Sequence, residues 1–172
     1  MSDTYSDYTR KCKDTLGGIQ KAYLLPYVEY DETQIRTVGI SLDEFPYSQV
    51  YEFEVEGNFN QQSTLDKGNV SFAQQVSINM PKVYTFYDVN VFVRNDFRVI
   101  TFDNNGYYIL FGADNGMVCN LSNASGNEKG EFNGFTLNFE GKEEKTGLYI
   151  ADFDEFFYLD LPDNVFNYDL NF

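Results

Sequence analysis

Carboxylates are the reactive groups this chain has in quantity: 27 Asp and Glu against 12 Lys and Arg, with no histidine. Close acidic neighbours stand at Asp152, Asp154 and Glu155, and at Glu143 and Glu144. Glycoside hydrolysis needs two carboxylates opposed across a cleft, but in so acidic a chain such neighbours arise from composition alone. The lack of histidine removes Ser–His–Asp triads, Cys–His dyads and imidazole metal ligands together. Cys12 and Cys119 would lack their usual base as nucleophiles. Two distant cysteines also make neither a disulfide framework nor a zinc site. No GxxxxGK[ST] or GxGxxG phosphate loop occurs. Asp103-Asn104-Asn105-Gly106 carries oxygen ligands without the EF-hand spacing for calcium. Asn and Gly tolerate positive φ, so a tight hairpin turn is the stronger expectation there. The expectation is no enzymatic activity, no cofactor and no metal.

The formal net charge is −15. A nucleic-acid binder needs cations to displace counterions from phosphate, so this chain should repel DNA. Such a surface suits either simple solubility or a wall that DNA must pass without sticking. Arg10, Lys11, Lys13 and Lys21 cluster near the amino end, which reads first as a solvated arm and second as a partner for an acidic face of a neighbouring copy. Two N-glycosylation patterns, beginning at Asn120 and Asn123, read as chance, because no apolar leader opens the chain. No apolar run reaches membrane-spanning length, and no membrane partner is expected. Two unpaired cysteines suit a reducing compartment.

At 172 residues, one domain with tails is expected: an amino-terminal arm over 1–16, a β domain over 17–158 and a carboxyl-terminal arm over 159–172. The core should be aromatic, since 17 Phe and 14 Tyr stand against no Trp. Rings suit pleated, half-buried surfaces and favour sheet over helix. Residues 19–30 read as a strand, with Pro26 at an edge or bulge. Residues 34–42 read as a second strand and 43–48 as a loop. The clearest period-2 signal is VYEFEVEGNF at 50–59: Tyr51, Phe53 and Val55 point one way, and Glu52, Glu54 and Glu56 the other. A polar turn over 60–69 and a strand over 70–80 complete a long hairpin. Residues 81–95 fit a strand by composition and a helix by their apolar stripe. FRVITFDNNGYYILFG at 97–112 is a second hairpin. A short strand at 117–121, another at 132–140 with Phe135, Leu137 and Phe139 on one side, and a last one at 148–158 follow. The count is eight or nine strands with at most one helix, a β-sandwich or barrel.

The order of these segments carries a resemblance. Cys12-Lys13 followed by Gly17-Gly18-Ile19-Gln20-Lys21-Ala22-Tyr23 resembles the amino end of tail tube-type proteins from phages that infect Bacteroidetes. The hairpin at 97–112 resembles that family's strand–DxNG–strand–Gly element. NGFTLNFEG at 133–141 resembles its late NGYTLTFxG strand. The resemblance covers residues 12–153 and implies a tail tube-like β-sandwich or barrel with one flanking helix, which tips 81–95 toward helix, and a long projecting hairpin. It also implies oligomeric rings, as tail tubes, head–tail connectors or the stacked rings of crAss-like phages. The match loosens after Gly112, and the carboxyl arm is long for a minimal tube subunit. Both features suit a ring or connector protein.

The resulting expectation is a virion structural protein of a phage tail or neck, assembled in the bacterial host cytoplasm. Its partners would be itself in a closed ring, neighbouring tail, neck or portal-proximal proteins, and viral DNA passing without specific binding. Glu52, Glu54 and Glu56 are the candidate channel lining. Arg10, Lys11, Lys13, Phe166, Tyr168 and Phe172 are the candidate subunit contacts. The alternative is a carbohydrate- or host-surface-binding β-sandwich module of a fibre or adhesin.

Overall fold

Alternating apolar side chains and well-placed turn residues dictate a chain built almost wholly of strands. The computed structural model describes residues 17–29, 36–38, 41–44, 51–81, 90–128 and 130–150. The strands are β1 (Ile19–Pro26), β2 (Arg36–Val38), β3 (Ser41–Glu44), β4 (Tyr51–Asp66), β5 (Asn69–Pro81), β6 (Phe97–Asp103), β7 (Tyr108–Phe111), β8 (Val118–Ala124), β9 (Gly134–Glu143) and β10 (Leu148–Ile150). One short helix, α1 (Asn90–Arg94), precedes β6. The strands form one sheet in the order β2-β3-β10-β7-β6-β1-β4-β5-β9-β8. Its pairings are antiparallel except that of β10 with β3. The mainly β expectation is met.

One face of this sheet turns inward. Phe53 and Val55 of β4, Val76, Ile78 and Met80 of β5, and Leu137 and Phe139 of β9 are buried together, with Ala22, Leu24, Phe97 and Val99 from β1 and β6. Phe92 of α1 plugs the cluster, edge-on to Tyr51 and Phe53 with ring centres 5.7 and 5.8 Å apart. Phe97 on β6 also meets Phe139 on β9 at 6.2 Å. Those strands stand four places apart in the sheet order, so the sheet must curl to bring the two rings together. At the seam, Phe97 and Met117 exchange backbone hydrogen bonds of 3.0 and 2.8 Å. Among the described residues that bridge does not continue as a ladder, and the sheet is open where a β-sandwich or barrel was expected.

Several expectations are corrected. The strand expected at 50–59 does not stop at a polar turn over 60–69. β4 continues to Asp66, pairing residue by residue with β5, and the turn is Lys67-Gly68 alone. Both turn residues have positive φ, 48° and 87°, the backbone twist that two-residue hairpins require. Polar residues here belong to a solvated strand face, not to a loop. Pro81 ends β5 rather than starting a helix, and within 81–95 the helix described is confined to Asn90–Arg94. Pro26 is not on an edge strand: β1 lies between β6 and β4, and Pro26 is its last residue, beyond the last β4 partner. The register shift lies instead at Ile19/Lys21. The single strand expected over 34–42 is a small hairpin of β2 and β3, and β3 runs into the expected loop. Ten strands are described, not eight or nine. The arms 1–16 and 159–172, and the strand expected beyond Ile150, lie outside the described residues.

Gly57 shows how tightly the register is held. It faces the β1 bulge at Ile19 on one side and Ile78 on the other. A Cβ at this position would overlap the backbone carbonyl oxygen of Ser77. Gly57→Ala should therefore lower unfolding stability by about 1–3 kcal/mol, the usual range for overpacking. Urea denaturation checks this; an unchanged midpoint would show that β4 and β5 can separate freely at this point.

Candidate functional site

The alternation of β4 is realised as expected. Phe53 and Val55 are buried, Glu54 and Glu56 are exposed, and Glu52 is half-buried. The three glutamates occupy the convex side of the sheet because the side-chain period of a strand is two. Glu52 is not a bare charge. It accepts from Lys21 Nζ at 3.2 Å and from the Tyr23 hydroxyl at 3.3 Å, both on neighbouring β1. The hydrogen bond to Glu52 holds the Lys21 ammonium above its ordinary range. Burial, with the Glu52 charge behind it, pushes the Tyr23 phenol up. Lys21, grouped in sequence with the amino-terminal cations, thus belongs to the glutamate face.

Register carries this face across the sheet in polar rows. Glu56 stands opposite Asn79, then Thr136, then Ser122. Asn58 stands opposite Ser77, then Asn138, then Asn120, and Asn60 opposite Gln75, then Glu140. The rows bond sideways: Thr136 Oγ1 donates to Asn79 Oδ1 at 3.0 Å, Gln75 Nε2 to Glu140 Oε1 at 3.3 Å, and Ser77 Oγ to Asn138 Oδ1. The surface so formed is acidic, rich in amides and hydroxyls, and poor in rings. It can hydrogen-bond water along its whole width and offers phosphate little positive charge. The amide rows escaped sequence reasoning because they depend on pairing between distant strands. Alternating polar residues in SINM (77–80) and TLNFE (136–140) were the only signal.

A second polar cluster is buried at the turn over 112–116, which leaves β7. Glu143 accepts from the backbone N–H of Asn115 at 2.9 Å and of Asp114 at 3.1 Å. Gln74 accepts from Gly112 N at 2.9 Å and donates to Lys145 O at 3.1 Å. Arg98, 1% exposed, donates to Ala113 O and Val28 O, each at 2.8 Å, with its guanidinium 4.3 Å from the Tyr27 ring centre. Glu143 was one of the acidic pair flagged in the sequence. Its two oxygens are occupied by backbone amides, an arrangement that secures a turn.

The other flagged groups have structural partners. Asp103 Oδ1 accepts from Asn105 N and Tyr107 N at 2.9 Å each, and Gly106 has φ 85°, so this segment is the expected hairpin turn. Asn104 fastens that turn to the start of β1 through Gly18 O and Gly17 O. Cys119 is buried, its thiol pushed up to about 12 by desolvation. Asn120 and Asn123 lie on β8, within a paired strand rather than on a surface loop. Tyr107 and Tyr149 form an exposed aromatic pair, ring centres 6.0 Å apart at 89°. Among the described residues no helix is long and apolar enough to cross a membrane, and no cluster of three potential metal ligands occurs. Asp152, Asp154, Glu155, Arg10, Lys11, Lys13, Phe166, Tyr168 and Phe172 lie outside the described residues.

Comparison with known proteins returns no match among family models, curated proteins or solved structures.

Burial holds the Glu143 carboxyl above its ordinary value of 4.5, against the opposing amides of Asn115 and Asp114. A carboxyl raised in the folded state contributes stability that is fully present below the ordinary value. That contribution is lost as pH rises through the folded value. Glu143→Gln removes this loss while costing a hydrogen bond at every pH. As pH rises above the ordinary value of 4.5, the change in unfolding free energy of the variant should lack this negative component, which the parent retains. Parallel pH profiles of the two proteins would overturn the assignment.

Proposed function

We propose that the chain is a virion structural protein, one copy of a closed ring around the DNA channel of a phage tail or neck. The observation that carries this reading is the convex face of β4 and its neighbours. Glu52, Glu54, Glu56 and Glu140 share that face with amides and hydroxyls, and Lys21 and Lys142 are the cations beside them. A lumen of this kind keeps a polyanion hydrated and mobile, since like charge opposes adhesion within a Debye length of about 8 Å. The curled sheet would supply the ring wall, with the β4–β5 hairpin beyond Gly57 projecting toward a neighbour. The arms at 1–16 and 159–172 would make further contacts through Arg10, Lys11, Lys13, Phe166, Tyr168 and Phe172. Adjoining tail, neck or portal-proximal proteins would stack on the ring.

The alternative, a glycan-binding module of a fibre or adhesin, rests on the exposed Tyr107–Tyr149 pair. Its perpendicular rings form no flat platform for a sugar, and the acidic face has no role in it.

Electron microscopy of the purified protein should show closed rings or tubes. A stable monomer that binds glycan would overturn the ring reading in favour of the alternative. Within assembled particles, reversing Glu52, Glu54 and Glu56 to lysine should slow DNA release, read as dye uptake by the emerging DNA. Unchanged ejection from intact particles would remove these residues from the lumen.

A further inference from the structure

β4 has two edges with different fates. Toward β5 it is paired from Glu56 to Asp66. Toward β1 its pairing ends at Gly57, opposite Ile19. From Asn58 to Asp66 that edge has no backbone partner among the described residues. The segment reads NFNQQSTLD. It lacks the proline, lysine and bulge with which exposed edges are normally protected from pairing. It also carries Leu65, 72% exposed, beside the exposed Val70 of β5. We propose that this edge pairs antiparallel with the same edge of a second copy of the chain, about a two-fold axis at Gln62.

The register follows from the residues. In an antiparallel pair, directly opposed side chains lie on the same face. Centred on Gln62, Phe59 of one copy meets Leu65 of the other on the concave side, covering the most exposed apolar side chain of the described residues. On the convex side Asn58 meets Asp66, Asn60 meets Thr64, and Gln62 meets its own copy, all able to hydrogen-bond. A shift that centres the pair on Gln61 would set Glu56 directly opposite Asp66 and leave Leu65 facing glycine. A shift to Ser63 would face Leu65 with Gln61 and carry Phe59 into the turn at Lys67. The Gln62 register alone of these matches apolar to apolar without opposing like charges. The contact is isologous and does not depend on the ring reading. A ring closes through head-to-tail contacts, whereas this edge would join subunits in pairs, within free dimers or between two rings.

Directed cross-linking tests it in the full chain, with Cys12→Ser removing one native thiol and Cys119 buried. Gln62→Cys places two thiols face to face on the axis. Asn58→Cys, also at an exposed position, places them far apart, because each faces Asp66 of the other copy. Under mild oxidation Gln62→Cys should give covalent dimer at least tenfold faster than Asn58→Cys. Adding Leu65→Lys to Gln62→Cys should slow that cross-linking at least tenfold, since Leu65 serves the contact and not the monomer core. Equal rates for the two cysteine variants, or indifference to Leu65→Lys, would overturn the proposal.

Discussion

The turn that carries the chain away from β7 is the constraint on which the rest of the sheet depends. β7 lies in the middle of the sheet and β8 at its far edge, so the chain must leave one ladder and enter another across the buried seam. In crossing, the backbone of 112–116 gives up ladder partners, at Gly112 and Ala113 in a buried position. Side chains from three strands fill the gap: Gln74 of β5 serves Gly112, Arg98 of β6 serves Ala113, and Glu143 of β9 serves Asp114 and Asn115. Tyr27, just past β1, adds its hydroxyl to Asp114 O at 2.7 Å. Leaving a buried amide unpaired costs about 1–3 kcal/mol, so this clamp outweighs any single surface ion pair in the molecule. Gly112 and Gly116, both at positive φ, allow the bend, and Met117 then makes the bridge to Phe97 that sets the curl.

Much of this architecture was legible in the sequence because its signals are local. The glutamate strand announced itself by strict alternation, and Asp103-Asn104-Asn105-Gly106 by turn chemistry. The clamp was illegible for the opposite reason. Nothing about Gln74 or Arg98 distinguishes it from any polar residue on a strand until β5, β6 and β9 are brought together. The misplaced turn at 60–69 has its own lesson. Its Asn and Gln residues are poor in apolar character, so their period vanished from view, yet hydrogen bonding to β5 keeps the strand extended as far as Lys67-Gly68. The segment 81–95 was ambiguous because β-branched and aromatic residues satisfy a 3.6-residue stripe as readily as a strand pattern. The described structure gives strand at Pro81 and helix at Asn90–Arg94, and residues 82–89 lie outside the described residues.

The two faces of the curled sheet solve different problems. The concave face gathers rings from β4, α1, β6 and β9, and aromatic packing rather than helix layering closes it. The convex face cannot bury anything from β4 to β8, so its residues were free to become amides, hydroxyls and carboxylates. Their sideways bonds, Thr136 to Asn79 and Gln75 to Glu140, tie the strands together without making the surface apolar. Of the candidate site, the glutamates were therefore readable and their surroundings were not. Lys21 moves from an amino-terminal basic cluster to a partner of Glu52, which moderates the charge of the face at its β1 side.

Charge also decides where copies of this chain can meet. A net −15 keeps molecules apart at long range, but screening confines the repulsion to about 8 Å in physiological salt. Contacts must then form where the surface carries little charge. β8 has no ionisable side chain other than the buried Cys119 thiol, and β4 beyond Glu56 carries none before Asp66. These are also stretches where the described sheet shows an unpaired backbone edge. Among the described residues Glu52, Glu54, Glu56 and Glu140 lie on the convex face, so they oppose stacking of that face on another copy while leaving edge-to-edge addition open. Main-chain hydrogen bonds would supply the attraction at such an edge, and the side chains would set only the register. An acidic body with neutral edges thus favours growth in the plane of the sheet over adhesion through its face.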